Sequence, residues 1–265
     1  MNNTSKDSKI IRRVVLMAND WPGLKVARYL VSQKDEIVRL YLHAENIRKL
    51  GPEIVEASNC DKDKIFEAKE VKDEKHVKGL KELKADYIIT VYWSHLLKKD
   101  VIECAVEGTV NFHPALLPIN RGWYPNVHSI LDGSPIGVTL HTIDESADTG
   151  LVWAQKEMAL TEYDTAFTIH QRCQRQMVEL FKEVWPKIKA GEIQPVPQDN
   201  SKAVYHEKSE VDSFDNISPE FVMKVEDFIK LLRARSFGNR GFAYYEKGGQ
   251  RVYLNLRLSK DTFFE

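Results

Sequence analysis

The run from Asp86 to Tyr92, DYIITVY, is apolar without alternation. A strand of that kind needs cover on both faces, which places it inside a sheet layered between helices. Comparable short runs recur at Arg13 to Ala18, Ile37 to Leu42 and Gly108 to His113, with a weaker one at Lys64 to Ala68. Leu24 to Val31, His76 to Leu83 and Val101 to Val106 read as helices between them. This alternation predicts an α/β domain on a mostly parallel sheet with helices on both faces. Ligands in such sheets bind beyond the carboxyl ends of the strands. Asn111 and His113 close the Gly108 strand and so stand where a site is expected.

Asn19 to Gly23 reads as a turn ahead of the first helix. A Pro- and Gly-rich loop runs from Pro114 to Pro125, and Ile136 to Ile143 and Val152 to Met158 follow as strands. Thr161 or Asp164 is the expected cap of a long helix. Its apolar stripe is Ala166, Ile169, Cys173, Met177, Leu180, Val184 and Ile188, and Gly191 is its stop. Pro195-Val196-Pro197 marks a boundary between residues 1–196 and a smaller C-terminal region, 197–265. There, Phe221 to Arg235 reads as a helix. Phe242 to Tyr245 and Arg251 to Leu258 flank a Lys247-Gly248-Gly249 turn as a β-hairpin. Its apolar face is larger than the short helix covers, which predicts a two-fold contact between copies of the chain. The polar stretch Met1 to Ser8 reads as a frayed tail.

Charge narrows the function classes. Lys and Arg total 38 against 39 Asp and Glu, a formal net charge of -1. That balance supplies no bulk attraction to nucleic acid or to an anionic membrane. No apolar run reaches the length of a membrane span. Cys60, Cys104 and Cys173 form no CxxC pair, which fits a reducing cytoplasmic setting without disulfides or a zinc knuckle.

No dinucleotide fingerprint, P-loop, HExxH or GxSxG motif occurs. The densest polar cluster is NFHPALLPINRGW, Asn111 to Trp123, followed by DESADTG, Asp144 to Gly150. Asn, His and Asp at one strand end suit acyl transfer. An amide stabilises a developing oxyanion, an imidazole moves a proton, and a carboxylate orients the imidazole. Each residue alone also has a structural reading, as a turn cap or a packed histidine. His113, His141 and Asp148 also stand as potential metal ligands, but no paired HxH or HxxxH spacing supports a metal site.

The stretch Val110 to Gly150 resembles the signature of the folate-dependent formyltransferases: Asn-x-His, a Leu-Leu-Pro and Arg-Gly loop, then an Asp just before a glycine. The resemblance spans most of Ile11 to Asn200 and implies a Rossmann-like catalytic domain. It implies Asn111, His113 and Asp148 as catalytic residues and N10-formyltetrahydrofolate as co-substrate, with no metal. The family's pterin pocket maps onto Tyr92, Trp93, Ser94, His95 and Leu96, and onto Leu140, His141 and Asp144. The RGWYP loop and PQDNSKAVY, Pro197 to Tyr205, are most similar to the nucleotide-sugar N-formyltransferases. That similarity implies a dTDP-linked 4-amino- or 3-amino-deoxyhexose destined for bacterial surface glycans. Arg121, Trp123, Tyr124, Gln198 and Tyr205 are its expected contacts, with Lys25 and Lys202 as candidate cations for the diphosphate. Similar enzymes often form dimers. Methionyl-tRNA formyltransferase and formyltetrahydrofolate hydrolase activities are the rival expectations.

Overall fold

The computed structural model describes residues 10 to 259; the Met1 to Ser8 tail lies outside them. Seven strands form one sheet, ordered β3-β2-β1-β4-β5-β7-β8. They are β1 (Arg13–Ala18), β2 (Glu36–Leu42), β3 (Ile65–Glu67), β4 (Tyr87–Val91), β5 (Gly108–His113), β7 (Ile136–His141) and β8 (Val152–Met158), with the two-residue β6 (Arg121–Gly122) outside the sheet. The first five are parallel; β7 runs antiparallel to β5, and β8, antiparallel to β7, runs in the direction of the first five. The chain builds outward from β1 to β3, then returns to the other side of β1. That reversal opens a crevice at the carboxyl ends of the strands. All five residues of β4 are buried, as its unbroken apolar run requires.

Two cores cover the sheet. One gathers α1 (Asp20–Ser32) and the long helix α6 (Ala166–Lys189). The other gathers α3 (Glu74–Leu83) and the short α4 (Lys99–Ile102). Two further helices, α2 (Gly51–Ser58) and α5 (Pro125–Asp132), each open with a proline in the first turn. The loop expected to end at Pro125 therefore delivers a helix.

Several boundaries differ from the sequence reading. The Asn19 to Gly23 turn is the first turn of α1, because the Gly23 N–H already donates to the Asn19 carbonyl. α4 stops at Ile102, since the chain must leave the helix for Val106 N–H to reach Ala85 O and enter β5. The cap of α6 is Thr165, which exchanges hydrogen bonds with Thr168, and not Thr161 or Asp164. Asp164 instead accepts from Thr161 and Thr168 and pairs with Arg172 at 2.6 Å.

The C-terminal region begins by returning to the catalytic domain. Its strand β9 (Tyr205–His206) pairs in parallel with β6. Helix α7 spans Val225–Ala234 and leaves Phe221 and Val222 exposed ahead of it. Two-residue strands β10 (Ser236–Phe237) and β11 (Arg240–Gly241) follow, then the hairpin β12 (Tyr244–Lys247) and β13 (Gln250–Tyr253). Gly248 and Gly249 both have positive φ, 60° and 75°, as a tight two-residue hairpin turn requires. Of the alternating apolar residues Val252, Leu254, Leu256 and Leu258, the three leucines are half-buried between exposed Asn255 and Arg257, while Val252 is exposed. The leucine stretch lies beyond the paired strand and is anchored by Leu254 N–H to Ala243 O and Leu256 N–H to Ser236 Oγ.

Candidate active site

The end of β5 and the two loops after β5 and β7 surround a cavity of about 750 Å³. Asn111, His113 and Asp148 all line it. Asn111 sits opposite Thr90 of β4 on one side and His141 of β7 on the other. Asp148 is brought to them by a loop backbone in the left-handed region, φ 56°. Its carboxylate lies 3.4 Å from His113 Nδ1, 3.5 Å from His141 Nε2, and 2.9 Å from the Gly122 N–H that donates to it.

His113 Nε2 lies 2.9 Å from the Asn120 carbonyl. A carbonyl only accepts, so Nε2 carries the proton and Nδ1 presents its lone pair toward Asp148. Burial pushes the His113 imidazole below its ordinary value, and the nearby Asp148 carboxylate only partly offsets that. Burial would raise the Asp148 carboxyl. The His113 and His141 imidazoles and the Gly122 N–H outweigh it and hold the acid well below the usual range. At neutral pH the pair is therefore a neutral imidazole beside a carboxylate. A proton arriving at Nδ1 would be stabilised by an acceptor already in place.

Tyr92, Trp93, Ser94, His95, Leu96, His141 and Asp144 line the cavity, as do Trp123, Tyr124 and Tyr205. Trp93 Nε1 is buried and meets no protein acceptor among the described residues. Its ring packs against those of His43 and His95. This wall of backbone, indole and imidazole suits a planar heterocycle with polar edges, as a pterin is.

Five expected contacts do not line the cavity. Leu140 is fully buried in the core, because strand alternation turns it away from the face that carries His141. Lys25 lies over the Trp21 ring on α1, 5.4 Å from its centre, and does not line the cavity. Arg121 is buried and spends its guanidinium on Gln198 Oε1, at 3.1 and 2.7 Å, and on Asn200 Oδ1. Gln198 in turn donates to the carbonyls of Asp148 and Gly150 at 2.9 and 2.7 Å. Arg121 and Gln198 thus brace the Asp148 loop from behind. Lys202 is exposed and pairs with Asp199 at 3.2 Å.

The sequence reading missed the far wall: His170 of α6, with Arg235, Phe237 and Phe242 from the C-terminal region. His170 occupies a polar position beside the α6 stripe, a signal that periodicity alone discounts. The C-terminal residues lie more than sixty positions downstream and carry no local signal. His128, His206 and Glu210 also gather within 4.8 Å. The two imidazoles stack 3.4 Å apart at 6°, so their in-plane lone pairs run parallel and do not converge on one ion.

Comparison with known proteins agrees with this fold. The formyl transferase family model matches residues 4–185, and the N-formyltransferase dimerization C-terminal domain matches residues 210–260. A methionyl-tRNA formyltransferase of Kosmotoga olearia is 30% identical over 215 residues, covering 79% of this chain and 68% of that protein. A sugar N-formyltransferase from a Shewanella species superposes with a TM-score of 0.80 at 24% identity, over 94% of this chain and 98% of that one. A formyltransferase from Anoxybacillus kamchatkensis, solved with tetrahydrofolate and a UDP-linked formamido sugar, gives a TM-score of 0.57 at 26% identity, over 84% and 98%. The strand-end Asn, His and Asp, the α/β sheet that presents them and the matched family model lead to one conclusion: this chain is an enzyme of the folate-dependent formyltransferase family.

Proposed function

We propose that this enzyme moves a formyl group from N10-formyltetrahydrofolate to the amine of a nucleotide-linked sugar, with a dTDP-linked 4-amino- or 3-amino-deoxyhexose the leading acceptor. The observation that carries this reading is a single cavity with a charged apex and two differently built walls. The apex holds Asn111, neutral His113 and ionised Asp148. Tyr92 to Leu97 form the wall suited to the pterin, and Trp123, Tyr124 and Tyr205 form aromatic walls suited to a deoxysugar.

N10-formyltetrahydrofolate supplies the electrophilic carbonyl carbon. Asn111 donates from its amide to the oxygen on which negative charge builds, a contact worth roughly 2.7–4 kcal/mol in the transition state. His113 Nδ1 accepts the proton released by the attacking amine, and Asp148 stabilises the imidazolium so formed. That proton passes to N10 as the tetrahedral intermediate collapses, the bond from the formyl carbon to N10 breaks and tetrahydrofolate leaves. A sugar amine with a pKa near an α-amino group, about 7.7–8.0, is partly unprotonated at neutral pH and needs no strong base.

Acceptor choice separates this reading from the one suggested by the methionyl-tRNA relatives. From Ser201 onward the chain carries 11 Lys and Arg against 10 Asp and Glu. That balance lacks the excess of cations that binding a polyanion uses. With Lys25, Arg121 and Lys202 engaged elsewhere, the cations beside the cavity are Lys208, 4.8 Å above the Trp123 ring, and Arg235 in the cavity wall, whose guanidinium is itself paired with Asp215. They suit a diphosphate better than a nucleic acid. The family match over residues 210–260 supports a homodimer through the C-terminal region. No helix among the described residues is long and apolar enough to cross a membrane, consistent with cytoplasmic synthesis of a surface-glycan precursor.

The test is formylation, followed by mass spectrometry, of dTDP- and UDP-linked amino sugars against charged initiator tRNA. Transfer to a dTDP-amino sugar is the expected result. Faster turnover of the tRNA refutes the acceptor assignment, and loss of donor without any amine identifies a hydrolase.

A further inference from the structure

Thr90 belongs to none of the motifs read from the sequence, yet it touches the residue assigned to the oxyanion. It is the penultimate residue of β4, buried, and in register with Asn111 of β5. Its hydroxyl lies 2.6 Å from Asn111 Oδ1. On the other side of the same amide, Asn111 Nδ2 lies 2.9 Å from His141 Nε2. His141 Nδ1 lies 2.7 Å from the Thr142 carbonyl.

These three contacts are mutually consistent in one assignment, with the Asp148 carboxylate standing 3.5 Å from the same His141 Nε2. The Thr142 carbonyl only accepts, so His141 Nδ1 carries the proton. When the ring is neutral its Nε2 carries a lone pair, and the amide nitrogen then faces it. The amide oxygen therefore faces Thr90, which donates. One hydrogen of the Asn111 amide is held by His141, and the second is left for the cavity that Asn111 lines. A flipped amide would set its oxygen against the His141 lone pair and turn its donor out of the site.

We propose that Thr90 is a positioning residue, and that Thr90 and His141 together fix the Asn111 amide with its free N–H toward the reacting oxygen. The proposal rests on the oxyanion role of Asn111 given above. Thr90 is suited to the task because a β-branched side chain has few rotamers and a buried hydroxyl is costly to leave without a hydrogen-bond partner.

Two measurements test it. Long-range ¹H–¹⁵N NMR of the ¹⁵N-labelled protein reads the His141 tautomer directly. The Nδ1–H form is expected at neutral pH, and the Nε2–H form overturns the proposal. Kinetics with N10-formyltetrahydrofolate and a dTDP-4-amino-4,6-dideoxyhexose then compare Thr90→Val, Thr90→Ser, Asn111→Ala and the Thr90→Val/Asn111→Ala double variant. Thr90→Val should lower kcat about tenfold with KM for both substrates little changed, and Thr90→Ser should restore it. In the Asn111→Ala background Thr90→Val should cost nothing further, since the two act as a unit. A merely structural Thr90 would lower stability and leave kcat alone. Wild-type kcat in Thr90→Val overturns the proposal while the formyltransferase reading stands; wild-type kcat in Asn111→Ala overturns the Asn111 role itself. If this acceptor is not turned over, the Asn111 side-chain amide signals, identified by their loss in Asn111→Ala, decide. A shift in Thr90→Val supports the proposal, and unchanged signals overturn it.

Discussion

Asp35 and Asp148 are carboxylates withdrawn from solvent at opposite ends of the same sheet. Asp35, just before β2, has no exposed side-chain surface. It accepts from Lys189 Nζ at 3.0 and 3.1 Å, from Trp185 Nε1 at 2.7 Å and from the Arg12 N–H at 3.0 Å. Every direction around it is filled, and the result ties the end of α6 to the sheet. Asp148 keeps 16% of its side chain exposed and has one backbone N–H at hydrogen-bond distance, with two imidazoles standing off at 3.4 and 3.5 Å. A saturated carboxylate is a structural joint. An under-saturated one, facing a neutral base, is held ready for a charge that appears during reaction.

The largest expected effect tests the reactive end. His113→Ala or Asp148→Asn should lower turnover by about 10²–10⁴-fold, with the thermal midpoint close to that of the wild type. Steady-state rates on purified, folded variants measure this, and near wild-type turnover in either variant would erase the contrast.

The structural end should respond in the opposite way. Lys189→Met leaves the Asp35 charge buried without its cation and should cost about 3–5 kcal/mol of stability, while turnover per folded molecule persists. Urea denaturation measures it. Replacing both partners, Asp35→Leu with Lys189→Met, should recover part of the loss, because no uncompensated charge remains.

A smaller effect probes the brace behind the reactive end. Gln198→Leu strips the donors from the Asp148 and Gly150 carbonyls and should cost about 1–3 kcal/mol in denaturant unfolding. It should also lower kcat, whereas Lys202→Ala, at an exposed pair, should change neither.

The mildest test is pH. Burial is the main cause that lowers His43, His95, His113, His128 and His170. Below an unfolded pKa of about 6.5 the unfolded chain binds protons that the folded chain refuses. Stability is therefore complete above that pH and declines as pH falls from it toward the lowered folded values. The thermal midpoint should be lower at pH 5.5 than at pH 7.5; an unchanged midpoint would contradict the buried neutral histidines. Asp148, lowered in the folded state, loses its own contribution only as pH falls below about 3.9 toward that lower value. The acid limb of kcat should lie below the ordinary imidazole range, and Asp148→Asn should move it lower still.

What the sequence determined is local and periodic. β1 and β5 match their predicted runs, and the stripe on α6 is the buried face of that helix, with Ile169, Cys173 and Met177 inaccessible to solvent. The Asn111, His113 and Asp148 motif was legible through its resemblance to the formyltransferase signature; residue types alone left a structural reading open for each. The tertiary structure decided everything that depends on who lies across from whom. Arg121 and Gln198 carry the composition of a ligand site, and only the return of the chain at residue 198 reveals them as each other's partners. Leu140 and His141 are neighbours in sequence, but the sheet sends one to the core and the other to the cavity. Thr90 looks like any threonine in an apolar strand until β5 places an amide 2.6 Å from its hydroxyl. Periodicity along a chain fixes which face a residue takes, but the pairing of distant segments fixes what it meets there, and no local pattern encodes that partner.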